Sequence, residues 1–363
     1  MGWSKVEYLE TGDSYYAALL KEFAGAKKSV LMECYIFQMD SVGRALLEAL
    51  SECQGRGLRV FLRLDGIGSR PDLSEIAAFC HERHVELEVF HPLPFAPLGT
   101  YHSVGFAKAD SFLNRLRLMN RRSHRKIAIV DETIGFTGGR NVDEVQSEKV
   151  VGKEAWHDLS LRLEGDGVQE LLQAFLFRPV HKKQFKDCLV NYSSKLRRDR
   201  NNWLAKQMKD AKKRLWITTP YFAPTPRMLL ELRKAAKDGV DIRLILTKKI
   251  DVLVSQLAAR GLYRQLIRWG IKVYEYQPSL LHRKMWVIDD LGIVGSANFN
   301  HRSLVHDLEI DVILRDPAVV SEAMRLSLED QNASRAISLE DMAKVNFVKR
   351  FLSWIAGWFS YWL

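Results

Sequence analysis

At 363 residues the chain is long enough for two domains with substantial cores. Its 54 Lys and Arg against 44 Asp and Glu leave a net charge of +10, which favours an anionic partner, a membrane surface or a nucleic acid, without choosing between them. No stretch reaches the ~20 apolar residues of a spanning helix, Met1 to Lys5 lacks the apolar core of a signal peptide, and the four cysteines, Cys34, Cys53, Cys80 and Cys188, have neither a CxxC pair nor zinc-like spacing. A soluble or peripheral protein with reduced, buried thiols is expected.

In chain order, the spacing predicts an opening helix over 13–27, with Asp13 or Ser14 as its cap and Tyr16, Leu19, Leu20 and Phe23 as its apolar stripe. A strand from Ser29 to Phe37, a helix from Val42 to Glu52 and a strand from Leu58 to Leu64 follow, and this alternation predicts βαβ units around a mostly parallel sheet. The next landmark is Ser123-His124-Arg125-Lys126 running through Ile127-Ala128-Ile129-Val130 to Asp131, with Gly138-Gly139-Arg140-Asn141 beyond it. The stretch from Lys186 to Asn202, broken by Ser193-Ser194-Lys195 and Arg197-Arg198-Asp199-Arg200, reads as a charged surface loop joining two domains.

Past that join the order restarts. A helix around Trp203 to Ala211 leads to a strand from Arg214 to Thr219, Gly239 to Leu246 parallels Gly57 to Leu64, and Ile271 to Pro278 parallels Val85 to Pro92. Then comes a second copy of the landmark, Leu281-His282-Arg283-Lys284 through Met285-Trp286-Val287-Ile288 to Asp289, with Gly295-Ser296-Ala297-Asn298 beyond. The two histidines stand 158 positions apart, so the repeat is a whole domain. The boundaries expected are 1–190, 191–335 and a tail over 336–363.

The chemistry of the repeated stretch follows from its period. A short apolar run closed by an acid predicts a strand buried on both faces, and residues two apart on a strand share a face, so His124 lies beside Lys126 and His282 beside Lys284. Each pair sets a nucleophile or proton donor next to a fixed positive charge. The small residues let backbone approach a ligand, and Asn141 and Asn298 offer amide donors to an oxyanion. That set suits phosphoryl transfer. A lysine beside each histidine opposes a metal cation, so no metal is expected.

The twin HxKxxxxD pattern with its trailing Gly and Asn resembles the phospholipase D superfamily. The resemblance implies two tandem α/β/α domains related by a pseudo-two-fold axis, with mixed, mostly parallel sheets and one active site between them, and no cofactor. It implies catalytic roles for His124, Lys126, Asp131, His282, Lys284 and Asp289, with the two aspartates holding their motifs rather than touching substrate. His124 is expected as the nucleophile and His282 as the acid/base. An acid from each half, Asp158 in one and Glu309 (or its neighbour Asp307) in the other, is implied to accept a hydrogen bond from an imidazole.

Within the superfamily the chain is most similar to bacterial cardiolipin synthases lacking an amino-terminal transmembrane hairpin, on segments that include Asp65-Gly66-Ile67-Gly68-Ser69 and Lys234 to Val240. This implies transfer of a phosphatidyl group from one phosphatidylglycerol to another with release of glycerol. Hydrolysis by a phospholipase D, a nuclease-type phosphodiesterase and a different alcohol acceptor are the alternatives. The implied partner is an anionic phospholipid surface, met peripherally on the cytoplasmic face of the cell membrane, with no nucleic acid, by a monomer or homodimer. Two departures, Gly138-Gly139 against Gly295-Ser296 and the bulky Arg140, bear on acceptor choice.

Two stretches bear on lipid contact. The insertion from His91 to Met119 mixes apolar residues with Arg115 and Arg117 and suits either an acyl chain with a phosphate head or packing on its own core. The tail places Val348, Phe351, Leu352, Ile355, Trp358, Phe359 and Trp362 at helical spacing. With Trp354, Lys349 and Arg350 beside them, they fit a helix in the membrane interface, or one docked on the protein's own surface or on a second subunit.

Overall fold

The computed structural model describes residues 2–92, 102–104, 120–178 and 185–358. Two eight-stranded sheets dominate, each flanked by helices, and a two-stranded ribbon joins β11 (Phe222–Ala223) to β16 (Phe299–Asn300). The first sheet contains β1 (Lys5–Leu9), β2 (Ser29–Cys34), β3 (Arg59–Asp65), β4 (Glu86–Phe90), β5 (His102–Val104), β6 (Ile127–Val130), β7 (Ile134–Gly138) and β8 (Ser160–Glu164), in the order β1-β8-β7-β6-β2-β3-β4-β5. The second contains β9 (Cys188–Val190), β10 (Arg214–Thr218), β12 (Asp241–Thr247), β13 (Lys272–Tyr276), β14 (Met285–Ile288), β15 (Leu291–Gly295), β17 (Ile310–Leu314) and β18 (Ser334–Ala336), in the order β18-β13-β12-β10-β14-β15-β17-β9.

The expectation of mostly parallel sheets is corrected. Within the two large sheets the described parallel pairs are those of β2-β3-β4-β5 and β10-β12-β13, and the other described pairs are antiparallel. The motif strands instead turn straight back: β6 pairs antiparallel with β7, and β14 with β15. Asp131 and Asp289 make those turns possible with positive φ of 52° and 49°. Each then accepts three backbone N–H groups from the entry to a neighbouring strand: Asp131 from Lys27, Lys28 and Ser29, and Asp289 from Lys212, Lys213 and Arg214.

Two local expectations also change. The opening helix, Gly12–Gly25, is capped by Thr11 in a reciprocal box with Ser14. Asp13 instead accepts from Ser147 Oγ at 2.6 Å. The join is not a loop, because Ser193 caps a helix over Ser194–Asp210 whose buried stripe is Arg200, Leu204, Ala205 and Met208. Arg200 enters that stripe by pairing with Asp311 at 2.5 Å. Strand β9, ahead of the expected boundary at 191, already belongs to the second sheet. All four cysteines are free and buried.

A common apolar layer binds the halves. Leu31, Ile127, Ile129 and Phe175 of the first sheet's side pack in one cluster with Trp216, Met285, Val287 and Ile310 of the second. Beneath the first motif lies a buried ionic group. Arg125 donates through Nε and Nη2 to Glu33 at 2.9–3.1 Å, Arg63 Nη1 reaches the same carboxylate at 3.2 Å, and Ser123 Oγ also donates to it. Burial would raise the Glu33 pKa, but Arg125 and Arg63 hold it below the ordinary value. Glu33→Gln is expected to destabilise the fold by roughly 3–5 kcal/mol, since it strands buried guanidinium charge. The denaturant midpoint would fall with an unchanged m-value.

Candidate active site

His124 and His282, one from each half, line a single cavity of about 330 Å³ together with Asn141 and Asn298. Each histidine precedes its motif strand in an extended segment that is tied down before the ring is reached. On the first side, Asp65 accepts from Ile67 N at 2.9 Å and Gly68 N at 3.1 Å with one oxygen, and from Ser123 N at 2.9 Å with the other. The Asp-Gly-Ile-Gly-Ser turn thereby fixes the residue next to His124.

The halves then exchange backbone. His124 N donates to Leu308 O at 2.9 Å and Leu308 N to Arg122 O at 2.8 Å, while His282 N donates to His157 O and His157 N to Leu280 O, both at 2.8 Å. These bridges cross the acids over. Glu309, beside Leu308, lies 3.2 Å from His124 Nδ1, and Asp158, beside His157, lies 2.6 Å from His282 Nδ1. Ser296 O is a second acceptor for His124 Nδ1 at 3.1 Å. With acceptors facing Nδ1 of His124, that nitrogen carries the proton and Nε2 keeps its lone pair, whereas Nδ1 of His282 faces both Asp158 and the Lys284 ammonium at 2.7 Å and shares a proton within that group.

The register between Asp307 and Glu309 is now fixed. Gly139 N donates to Leu159 O and Ser296 N to Ile310 O, both at 2.9 Å, so Glu309 is the counterpart of Asp158. Asp307 occupies the place of Trp156 and receives Arg302 Nε at 2.7 Å on the cavity wall. Burial pushes Asp307 up to about 7, against the pull of Arg302.

Beside each ring is its lysine. Lys126 Nζ donates to His124 O at 2.8 Å; Lys284 Nζ donates to His282 O and lies 2.7 Å from His282 Nδ1. Both lysines are buried. Burial and Lys126 bring His124 down to about 4, with Glu309 opposing; burial and Lys284 bring His282 to about 4, with Asp158 opposing. Burial lowers Lys284 to about 7, again against Asp158. Burial would raise Asp158, yet Lys284 and His282 hold it well below the usual carboxylate range.

The glycine pair has a steric reason. A Cβ on Gly139 would fall 2.2 Å from Asp158 Oδ1, while in the second half Ser296 Oγ donates to Glu309 Oε2. Gly138 is close to Leu159 O in the same way that Gly295 is close to Ile310 O, so neither tolerates a side chain. Arg140 does not enter the cavity. It is buried and donates to Asp158 O and Glu10 O, bracing the acid from behind.

The remaining expected residues divide clearly. Asn141 accepts from Ile36 N at 3.3 Å through Oδ1, and Asn298 Oδ1 is buried without a hydrogen-bond partner, both on the cavity wall. Asp131 and Asp289, expected among the catalytic residues, are absent from that wall because both carboxylates are consumed by the strand-entry amides. His157 also lies off it, bonded to Asp330 at 2.7 Å. Among the described residues no cluster of His, Cys, Asp or Glu gathers as a metal site would need.

Arg115, Arg117 and Trp362 lie outside the described residues. Phe351 and Trp354 lie on the helix Phe347–Trp358, whose final residue is Trp358, and that helix packs against Leu253–Arg268. It still leaves Phe347 80% and Trp354 56% exposed. No described helix is long and apolar enough to cross a membrane.

Residues that motif reading missed complete the cavity: Tyr35, with its ring centroid 5.0 Å from that of His124, Trp156 at 5.1 Å from His282, and Tyr221, Asp251, Ser255 and Arg302. Their only signal in the sequence was position, since Tyr35 and Tyr221 each follow a strand that flanks a motif strand.

The family model described as "Cardiolipin synthase, PLD-like domain" matches residues 204–327. Cardiolipin synthase B of Escherichia coli K12 is 33% identical over 334 residues, spanning 86% of this chain and 77% of that protein. The minor cardiolipin synthase ClsB of Bacillus subtilis is 29% identical over 378 residues, spanning 99% and 89%. A phosphatidylserine synthase of Haemophilus influenzae shares the fold with a TM-score of 0.75 at 14% identity, over 100% of this chain and 96% of that one. With paired His-Lys motifs on one cavity and relatives matched over most of their length, the chain belongs to the phospholipase D superfamily, within its cardiolipin synthase family of phosphatidyltransferases.

Proposed function

We propose that the protein is a cardiolipin synthase that moves a phosphatidyl group from one phosphatidylglycerol to the primary hydroxyl of another and releases glycerol. The observation that carries this reading is the pair of imidazoles on one cavity, each with Nδ1 held by an acid of the opposite half and Nε2 left free.

In the proposed cycle, neutral His124 attacks the phosphorus through Nε2 while His282, made an imidazolium by the proton it shares with Lys284 Nζ and steadied by Asp158, gives its Nε2 proton to the departing glycerol oxygen. The P–O bond breaks and a phospho-histidine forms. Lys126, Lys284, Asn141 and Asn298 supply positive charge and donors as the phosphorus becomes five-coordinate. The hydroxyl of a second phosphatidylglycerol then gives its proton to His282 and displaces His124. Each half-reaction returns what the other borrowed, so no cofactor enters. Glu309 and Asp158 keep the two rings in the required tautomer and steady the imidazolium when it forms.

The test is incubation with phosphatidylglycerol vesicles, followed by separation of the lipids. Glycerol with a four-chain lipid is expected; phosphatidate alone would mean water is the acceptor, and DNA cleavage without lipid turnover would overturn the reading.

Peripheral membrane association is part of the same proposal. Exposed Val252, Leu253 and Val254 adjoin the cavity, Val252 forming part of its wall, and the helix Phe347–Trp358 lies against the helix that these residues begin. An apolar surface continuous with the site suits substrates that never leave a bilayer. Removing the residues after Asp341 is expected to cut sedimentation with anionic vesicles by at least roughly tenfold; unchanged sedimentation would remove the tail from the proposal.

A further inference from the structure

The pseudo-symmetry of the cavity is broken on one side, and the break has a chemical meaning. Around His282 the wall carries Tyr221, Asp251 and Ser255. Tyr221 stands edge-on to His282 at 6.3 Å between centroids, and its hydroxyl donates to Asp251 Oδ2. Asp251 makes no ion pair within 4.0 Å with a lysine or arginine among the described residues. Ser255 is only 4% exposed, yet its Oγ has no hydrogen-bond partner among the described residues. In the first half Ile36 takes the place of Tyr221, each preceding a phenylalanine bridged to the residue after the motif asparagine, and Ser69, beyond the strand paired with β2, is spent on Tyr35 O at 3.1 Å.

Asp251, an exposed carboxylate on the wall of a phosphodiester site, disfavours a phosphate beside it, so the ligand group that suits this position is one that offers hydrogen-bond donors. A buried hydroxyl without a partner is likewise costly until a ligand completes it. Neighbouring hydroxyls on one ligand meet both needs, one donating to Asp251 and the next bonding Ser255. We infer that Asp251, Ser255 and Tyr221 form a polyol subsite that holds the glycerol head group beside His282 and so determines which alcohol leaves and which enters. This rests on the proposed phosphatidylglycerol chemistry, in which the departing and the attacking alcohols are both glycerols and share one position opposite the nucleophile. Water or a simple alcohol fills only half of such a subsite and is selected against.

The experiment uses the full chain with phosphatidylglycerol vesicles and added deuterium-labelled glycerol, 1-propanol or ethanolamine, reading label incorporated into phosphatidylglycerol against the phosphatidyl-propanol and phosphatidylethanolamine formed, together with the ratio of four-chain lipid to phosphatidate. The wild type is expected to prefer glycerol over both competitors. Asp251→Asn, nearly isosteric and at an exposed turn, is expected to lower the ratio of transfer to hydrolysis by roughly tenfold or more. Ser255→Ala and Tyr221→Phe should narrow the preference for glycerol over 1-propanol, with KM for the acceptor moving more than kcat. A wild type that makes the four-chain lipid while Asp251→Asn and Ser255→Ala keep its preferences overturns the subsite alone, as does a wild-type preference for ethanolamine. A wild type that yields no transfer product with any alcohol overturns the subsite and the synthase reading together.

Discussion

Replacing His124 by alanine is expected to lower turnover by roughly 10⁴-fold or more and to leave no phosphate on the protein. His282→Ala should fail differently. With phosphatidylglycerol it also stalls, because glycerol leaves poorly without a proton. With a phosphatidyl ester of p-nitrophenol, whose leaving group needs no acid, the first step is restored while the base for the second is still missing. Acid-labile, base-stable label should therefore accumulate on His282→Ala and never on His124→Ala. Label on His124→Ala and none on His282→Ala would exchange the two roles. Both rings have an acceptor at Nδ1, so local geometry permits either direction, and the trapping experiment decides between them.

The second large effect is expected at Asp158. It is fully buried, lies 2.6 Å from His282 Nδ1 and 3.7 Å from Lys284 Nζ, and its own carbonyl is held by Arg140. Asp158→Asn removes the one negative charge in that group, with an expected loss on the order of 10⁴ in kcat from a misdirected tautomer. A fall in stability of roughly 3–5 kcal/mol should follow from the uncompensated lysine. Glu309→Gln should cost less activity, because Ser296 O remains as an acceptor 3.1 Å from His124 Nδ1.

The pH profile separates the two. In the free enzyme His124 must be neutral, which sets an acid limb of kcat/KM near its value of about 4. Lys284 must be charged, or share its proton with His282, and this is lost as pH rises through about 7. Asp158 opposes the burial that lowers Lys284, so Asp158→Asn should move the alkaline limb to lower pH and leave the acid limb in place. A profile in which both limbs stay put would mean that Asp158 does not govern the lysine.

How much of this could be read from the chain depends on the distance over which each feature is encoded. The His-Lys pairs, the small residues and the asparagines lie within one strand and its return, so spacing alone groups them, and the halves align because each repeats the same order. The parallel placement of Asp158 and Glu309 was visible too. Their crossing was not, because it depends on backbone bridges between residues more than a hundred positions apart, His124 to Leu308 and His157 to Leu280. The antiparallel return of β6 and β14 turns on two aspartates with positive φ, which a pattern of apolar runs does not report. The second half of the helix Ser194–Asp210 was legible from Trp203 onward, but its first half was hidden by its charge: Arg200 interrupts the apolar stripe, and its partner Asp311 is supplied by a strand far along the chain. Of the wall residues, Asp251 and Ser255 lie together at the start of one helix, but Tyr221 follows a different strand and meets them only in three dimensions.

The exchange of acids between the halves makes the duplication irreversible. Neither copy retains what it needs to prepare its own imidazole, so a fragment carrying a single motif would inherit a ring without its orienting acid. Selection must then preserve the two copies as one unit wherever they dock, yet it leaves them free to diverge where they merely face each other. Ile36 against Tyr221 is where that freedom has been used.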